Sequence, residues 1–175
     1  MVDIARLGEQ EWNVYRDLRL ASLQEAPSAF GSQLAAERDR TEAEWRDRLE
    51  HRTQFVAREE GRPIATVGCL AEAEGAVELV SMWVAPPARG AGVADLLVDA
   101  AVAEARDQGC ETTVVWVSEA NEPAERLYVR HGFLRTGRVK PVDVDHPVRG
   151  VEFEMRRVDP PRRHPWAVLP RGKAP

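Results

Sequence analysis

No run in the 175 residues approaches the ~18 consecutive apolar positions that a membrane-crossing helix requires, and Met1-Val2-Asp3 leads into no basic and then apolar segment. A soluble, cytoplasmic protein without a membrane partner is the expectation. Cysteine is scarce. Cys69 lies inside an apolar run and Cys110 at the start of another, so each reads as a small buried hydrophobe rather than half of a disulfide. His51, His131, His146 and His164 stand singly, without zinc-ligand spacing, and no metal is expected. An excess of basic charge is missing too: 24 Lys and Arg face 29 Asp and Glu, a formal net charge of −5. That balance argues against a nucleic-acid partner and suits a cationic small molecule. Repeats and low-complexity blocks are absent until the chain's end, where Pro160, Pro161, Pro165, Pro170 and Pro175 interrupt a stretch without periodicity. One domain over residues 1–158 and an irregular tail over 159–175 are expected, with docking of Trp166 and Leu169 on the domain or on a second copy (a homodimer) left open.

What is present centres on residues 78–109. Residues 78–84, rich in Leu, Val, Met and Trp, have the length and composition of a strand. Pro86-Pro87 stops it, since neither ring nitrogen can donate to a ladder. From Gly92 a helix is predicted. Val93, Leu97, Ala100, Ala101 and Ala105 form one face, Asp95, Asp99 and Arg106 the other, and Gly109 a stop. Glu104 falls outside this pattern and is expected to reach solvent. Between strand and helix, Arg89-Gly90-Ala91-Gly92-Val93-Ala94 leaves backbone approachable at a helix N-terminus, where free N–H donors and a partial positive charge can wrap a pyrophosphate. An ordinary glycine-bearing turn would look the same. No Gly-Lys-Ser/Thr follows, which excludes the NTP-binding loop. Asp95 occupies the position where a dinucleotide fingerprint needs a small residue.

Around this centre the chain reads as a first strand at 4–7, then a helix over 9–25 with Trp12, Tyr15, Leu18, Arg19 and Ser22 on one face. Pro27 ends it, and residues 27–32 are turn-rich. A second helix over 41–52 opens with a capping box, Thr41 and Glu44, and buries Trp45 and Leu49. Strands at 54–59 and 63–71 flank the turn Glu60-Gly61-Arg62. After a break at 72–75, these and the 78–84 strand should be antiparallel neighbours. The β-branched run 112–118 reads as a central strand, parallel to 78–84 because a whole helix connects them. Asn121 caps the next helix, Pro123 falls in its first turn and Gly132 ends it. Strands at 133–139 and 151–158 close the domain around a loop at 140–149 long enough to overhang a site. The class is α+β, a mixed sheet with antiparallel N-terminal strands and a central parallel pair flanked by helices.

Arg89-x-x-Gly92-x-Ala94, after a strand ending Val84-Ala85-Pro86, resembles the acetyl-CoA pyrophosphate loop of the GNAT family of N-acetyltransferases, whose pattern is Gln/Arg-x-x-Gly-x-Gly/Ala. Asn121-Glu-Pro-Ala-Glu-Arg-Leu-Tyr128, ending at Gly132-Phe133, is similar to that family's Asn…Ala…Leu-Tyr…Gly-Phe segment. The match covers residues 53–158 well and the N-terminal quarter loosely. It implies the acyl-CoA N-acyltransferase fold and transfer of an acetyl group from acetyl-CoA, as co-substrate and without a metal, to a primary amine of a small molecule or peptide. It also implies that the N-terminal helices form a lid over the acceptor; periodicity alone shows two amphipathic helices that serve equally as scaffolding.

On that resemblance, the backbone of Arg89, Gly90, Ala91, Gly92, Val93 and Ala94 would hold the pyrophosphate. Met82, Trp83 and Val84 would pair with the pantetheine arm like an added strand and stabilise the thioester oxygen. Asn121 and Tyr128, roughly 10 Å apart on one helix face, would reach pantetheine and sulfur. Tyr128 is then the general acid, although its spacing alone would make it a core residue. His131, a helix-end residue, has no role. Glu78 is the candidate base, beside the alternatives of a solvated strand-end charge or a water relay; Glu72 and Glu74 read as solvated charges. Glu42, Glu44, Asp47 and Glu50 on the second helix, with Glu72, Glu74 and Glu78, would draw a cationic amine. A non-catalytic acyl-CoA-binding or regulatory domain is the alternative, because fold does not fix function. An NAD-type domain would need the small residue missing at Asp95.

Overall fold

The computed structural model describes residues 1–26, 34–142 and 150–159. Pro27 and the turn-rich segment after it, residues 143–149 of the loop expected to overhang a site, with His146, and the tail with His164, Trp166 and Leu169 lie outside the described residues. The elements are β1 (Val2–Arg6), α1 (Trp12–Glu25), α2 (Leu34–Arg38), α3 (Glu42–Glu50), β2 (Thr53–Glu59), β3 (Arg62–Glu72), β4 (Ala76–Val84), α4 (Val93–Asp107), β5 (Thr112–Ser118), α5 (Glu122–Arg130), β6 (Leu134–Pro141) and β7 (Val151–Val158). The strands form one sheet in the order β1-β2-β3-β4-β5-β7-β6. All neighbours are antiparallel except β4 and β5. The α+β class and the parallel pair across a whole helix stand as read from the sequence. The ends differ by a few residues, and α2 has no counterpart in the sequence reading, because five residues carry too little periodicity to register.

Helices α4 and α5 cover one face of the sheet. Leu97, Val98, Ala101, Val102 and Ala105 of α4 pack with Leu127, Tyr128 and Phe133 over Val67, Val77, Leu79 and Val115. Ala100, placed on the apolar face by its spacing, is only half-buried. On the other face Tyr15 and Leu18 of α1 pack with Trp45 and Leu49 of α3 over Val56 and Trp83, the Tyr15 and Trp45 rings meeting edge to face at 5.4 Å. The capping box forms: Thr41 Oγ1 accepts from Glu44 N, and the Glu44 carboxylate accepts from Thr41 N at 2.7 Å. Cys69 is buried in the main core, where desolvation pushes its thiol up to about 12.

Glu104 does not reach solvent as expected. It accepts from Thr53 Oγ1 at 2.9 Å and from Arg6 at 3.3 Å, tying α4 to β1 and β2. Helical periodicity misses this, because the partners lie on strands distant in sequence.

Strand β4 carries the irregularity that shapes the site. Its pairing to β3 runs Thr66 to Trp83, then Gly68 to Val80, so Val67 faces two residues, Ser81 and Met82. This is a β-bulge, with Ser81 at φ 54°. The parallel pairing to β5 ends one turn of pleat earlier, at Leu79 with Val115. Beyond it β4 and β5 diverge.

Candidate active site

The divergence opens two cavities that share a wall. The first, of about 580 Å³, is lined by Met82, Trp83 and Val84 of β4, the loop residues Arg89, Gly90 and Gly92, and Val93, Ala94 and Asp95 at the start of α4. Asn121, Pro123, Ala124, Leu127 and Arg130 of α5 complete it, with Glu25 and Ala26 at the end of α1. Gly90 and Gly92 both have φ 79°, a left-handed conformation that glycine adopts without the clash of a Cβ. Gly92 is the N-cap of α4, so the first amides of that helix open toward the loop. Every residue expected to hold the donor lies on this wall except Ala91, which is exposed outside it, and Tyr128, which belongs to the second cavity.

The charged groups of the first cavity are already engaged. Arg89 donates to Glu25 at 2.6 Å and through Nε to the Val84 carbonyl at 3.0 Å. The Trp83 indole donates to the same Glu25 oxygen at 3.1 Å, and these two donors hold the Glu25 carboxyl below its usual range. Arg130 makes a two-pronged contact with Asp95 at 3.0 Å, and His131 lies 2.9 Å from the same carboxylate. Arg130, chiefly, holds the Asp95 carboxyl low. Neither Glu25 nor Arg130 stood out in the sequence, since nothing local marks either one.

The second cavity, of about 230 Å³, is lined by Glu78, Leu79, Val80, Ser81 and Met82 of β4 and by Val115, Trp116, Val117 and Ser118 of β5. Asn121, Ala124 and Tyr128 of α5, Arg19 of α1, Lys140 of β6 and Glu152 of β7 close it. The sequence candidates Glu78 and Tyr128 thus face one space. Tyr128 is buried against Phe133, ring to ring at 5.4 Å, and desolvation raises its phenol above the ordinary value of about 10. Asn121 caps α5, its Oδ1 accepting from Ala124 N at 3.2 Å. Met82, Asn121 and Ala124 belong to both cavities.

Glu78 is half-buried. Burial first, then a hydrogen bond with Glu72, push its carboxyl up to about 7, against the pull of Lys140. Glu72 is therefore a partner of Glu78 rather than an isolated strand-end charge. Glu152 is raised as well, by burial, with Lys140 opposing it from 3.9 Å. Lys140 also sits 4.1 Å from the centre of the Trp116 ring.

The carboxylates expected on α3 do not reach this space. Glu42 pairs with Arg46 at 2.7 Å, Glu44 holds the helix cap, Asp47 lies 3.5 Å from His51, and Glu50 is exposed; none lines either cavity. Their i, i+3 and i+4 spacing points them to solvent, opposite Trp45 and Leu49. Asp47, Glu50 and His51 come within 4.8 Å of one another there, as exposed neighbours on one turn.

Comparison with known proteins bears on this arrangement. The model of the acetyltransferase (GNAT) family matches residues 17–133. The chain belongs to the GNAT family. Solved GNAT-fold structures agree in shape. The GNAT-family acetyltransferase from Streptococcus pneumoniae superposes with a TM-score of 0.75 at 17% identity, covering 91% of this chain and all of that one. A Salmonella typhimurium protein solved with its cofactor acetyl-CoA gives 0.76 at 18% identity, over 95% and 99% of the two chains. A ribosomal-protein-alanine N-acetyltransferase from Brucella melitensis gives 0.70 at 19%, over 89% and 99%. No curated protein matches the chain. At these identities the likeness is one of fold, and this GNAT domain's acceptor must be argued from its own cavity.

Proposed function

We infer that the protein transfers the acetyl group of acetyl-CoA to a primary amine by direct attack in a ternary complex. The observation that carries this reading is the shared wall: Met82, Asn121 and Ala124 border both the loop-lined cavity and the one holding Glu78 and Tyr128. A donor lying in the first would present its thioester where the second begins.

The loop residues Arg89 to Ala94 and the open amides of α4 suit a pyrophosphate. The β4 edge beyond Leu79, without a β5 partner, offers backbone groups to the pantetheine amides, as an added strand would use them. Its N–H groups can also meet the charge that develops on the thioester oxygen during attack. Arg89, held by Glu25 and Val84, braces the loop and adds its charge at the rim.

Glu78 is the base. An alkyl ammonium of pKa about 10.4 attacks only after losing a proton, and a carboxylate lifted to about 7 accepts one at neutral pH far better than an ordinary glutamate. Tyr128 stays protonated at neutral pH and donates a hydrogen bond to the departing sulfur. Because its phenol is a weaker acid than a thiol of pKa about 8.5, it eases departure without having to surrender its proton completely. Helix α1 lends Arg19 to the wall of the acceptor side, while α2 and α3 stand behind it without lining either cavity.

Mixing the protein with acetyl-CoA and a panel of amines, aminoglycosides and peptides, then following thiol release and identifying the product by mass spectrometry, tests the assignment. Amine-dependent thiol release with a matching N-acetyl product is expected. Tight acetyl-CoA binding without amine-dependent release would mark a non-catalytic acyl-CoA-binding domain.

A further inference from the structure

Of the 24 lysines and arginines in the chain, only Lys140 and Lys173 are lysine. Lys140 is the one lysine among the described residues, and it lines the second cavity together with Glu78, Asn121 and Tyr128. The distinction from arginine is chemical. A guanidinium keeps its charge under ordinary conditions, whereas a lysine amine can release a proton and take an acyl group. The cavity assigned to amine acetylation thus has a primary amine built into its own wall.

The strand ladders place that amine. Lys140 of β6 stands opposite Glu152 of β7, and Glu152 opposite Ser118 of β5. Glu78 of β4 stands opposite Val114 of β5. Directly paired residues share a face of the sheet, as do residues two apart on a strand, so Lys140, Glu152, Trp116 and Glu78 all project from one side. It is the side away from α4, since Leu79 and Val115, which alternate with Glu78 and Trp116, pack with that helix. Lys140 Nζ lies 4.1 Å from the centre of the Trp116 ring and 3.9 Å from the Glu152 carboxylate. Burial lifts the Glu78 and Glu152 carboxyls and the Lys140 charge pulls against both, which puts it within electrostatic reach of each. Among the described residues nothing holds Nζ firmly. A separation of 3.9 Å is beyond a hydrogen bond, and the side chain is 45% exposed, so the ion pair is a weak one.

Building on the acetyl-transfer reading above, we propose that Lys140 is a site of self-acetylation, taking the acetyl group of the chain's own bound acetyl-CoA when no external amine fills the cavity. The flexible four-carbon stem carries Nζ from the Trp116 ring toward Glu78 and the opening between β4 and β5. The ammonium passes one proton to Glu78, and the free Nζ attacks the thioester carbonyl. The N–C bond forms, the C–S bond breaks, and coenzyme A leaves as the thiol with the second proton that the nitrogen loses. The product is a neutral amide. It removes the cation beside Glu152 and leaves an acetamide in the acceptor space, so the reaction stops at one acetyl per chain and competes with an external amine.

The test incubates the full chain with acetyl-CoA and no acceptor, and follows each lysine by mass spectrometry of its peptides. Lys173 reports uncatalysed acetylation in the same tube. Lys140 should be acetylated at least about 10-fold faster than Lys173, at a rate that saturates with acetyl-CoA and does not depend on protein concentration. Glu78→Gln should slow Lys140, and Gly92→Glu should bring it down to the Lys173 rate. In Lys140→Arg, which keeps the charge, the gain in intact mass should fall to the Lys173 background. Circular dichroism of the variants separates these effects from loss of fold. Equal rates at the two lysines, a rate linear in acetyl-CoA or one that climbs with protein concentration would overturn the proposal. No acetyl on Lys140 while added amines release thiol would overturn it and leave the acetyl-transfer reading standing. No acetyl on Lys140 or on any amine, in protein that binds acetyl-CoA by calorimetry, would overturn both.

Discussion

The two cavities are built in different ways. The first cavity, the proposed donor side, is assembled mostly from one continuous stretch, residues 82–95, and offers backbone: two left-handed glycines, the first amides of α4 and a strand edge unpaired toward β5. The second, the proposed acceptor side, draws residues from α1, β4, β5, α5, β6 and β7. Backbone recognition demands only small residues and a turn, so it leaves a compact trace in the sequence and tolerates change elsewhere. Side-chain recognition depends on how distant elements meet. One fold can thus keep a single donor and exchange its acceptor by altering residues scattered along the chain.

The largest effect should come from closing the donor side. Gly92→Glu places a charged side chain at the left-handed N-cap of α4, beside the pyrophosphate position, and acetyl-CoA affinity should fall more than ~100-fold by calorimetry. The backbone cost of a side chain in that conformation is about 1 kcal/mol, so the variant should still fold. Unchanged affinity in folded protein would remove the loop from the donor site.

Next come the acceptor-side groups, whose loss should reduce turnover with little change in acetyl-CoA binding. Tyr128→Phe keeps the contact with Phe133 and removes the hydroxyl; kcat should drop by roughly 10²-fold. Wild-type turnover would return Tyr128 to a core role, provided chemistry limits the rate.

Glu78→Gln should lower kcat/KM by roughly 10- to 100-fold at neutral pH. In the wild type, kcat/KM should rise with pH up to about 7 as Glu78 ionises, then level off while the amine remains an ammonium. In the variant only free amine reacts, so kcat/KM should climb tenfold per unit up to about pH 10, narrowing the deficit. A wild-type profile in the variant would exclude Glu78 as base. Stability gives an independent reading. A carboxyl raised in the folded state contributes stability that is present below its unfolded value of about 4.5 and is lost as pH rises through about 7. Glu78→Gln should therefore melt higher than wild type at pH 8 and alike at pH 4.

The smallest effect concerns the seam between the two sides. Glu25 accepts from Arg89 at 2.6 Å, a contact that would compete with a bound phosphate for the same guanidinium. Glu25→Gln should weaken that hold and tighten acetyl-CoA binding a few-fold in low salt, the gain fading as salt screens the exposed charges. Weaker binding would mean that Arg89 needs Glu25 to keep its position.

The same contrast explains what the sequence disclosed. The antiparallel start of the strand order and the cap at Asn121 follow from periodicity and turn chemistry that operate within about ten residues, and the parallel pair from the whole helix that separates its strands. Residues 89–94 and Asn121 to Tyr128 marked the proposed donor site because their spacing is local. Glu78 could be named from its strand position, but its raised carboxyl depends first on burial and then on Glu72 one strand away, which no spacing encodes. Arg19 was visible only as one member of a buried helix face, and its cavity exists only once α1 meets the sheet. The acidic stripe of α3 misled for the converse reason. Glu42 pairs with Arg46 and Asp47 with His51 along the same helix, and the stripe faces water.

The bulge at Ser81 makes β4 a periodic signal with a phase slip. Before it, Val77 and Leu79 point toward α4; after it, Met82 and Val84 do, while Trp83 turns to the α1 and α3 side. In an uninterrupted strand, residue 83 would share the parity of Val77 and Leu79, and the indole would project into the space assigned to the donor in the proposed function. One extra residue therefore sets the rotation of the strand's far half, sending its largest side chain behind the sheet and leaving its edge clear in front. Substitution at this position preserves the count and hence the phase, whereas deletion inverts every side chain from there to Val84.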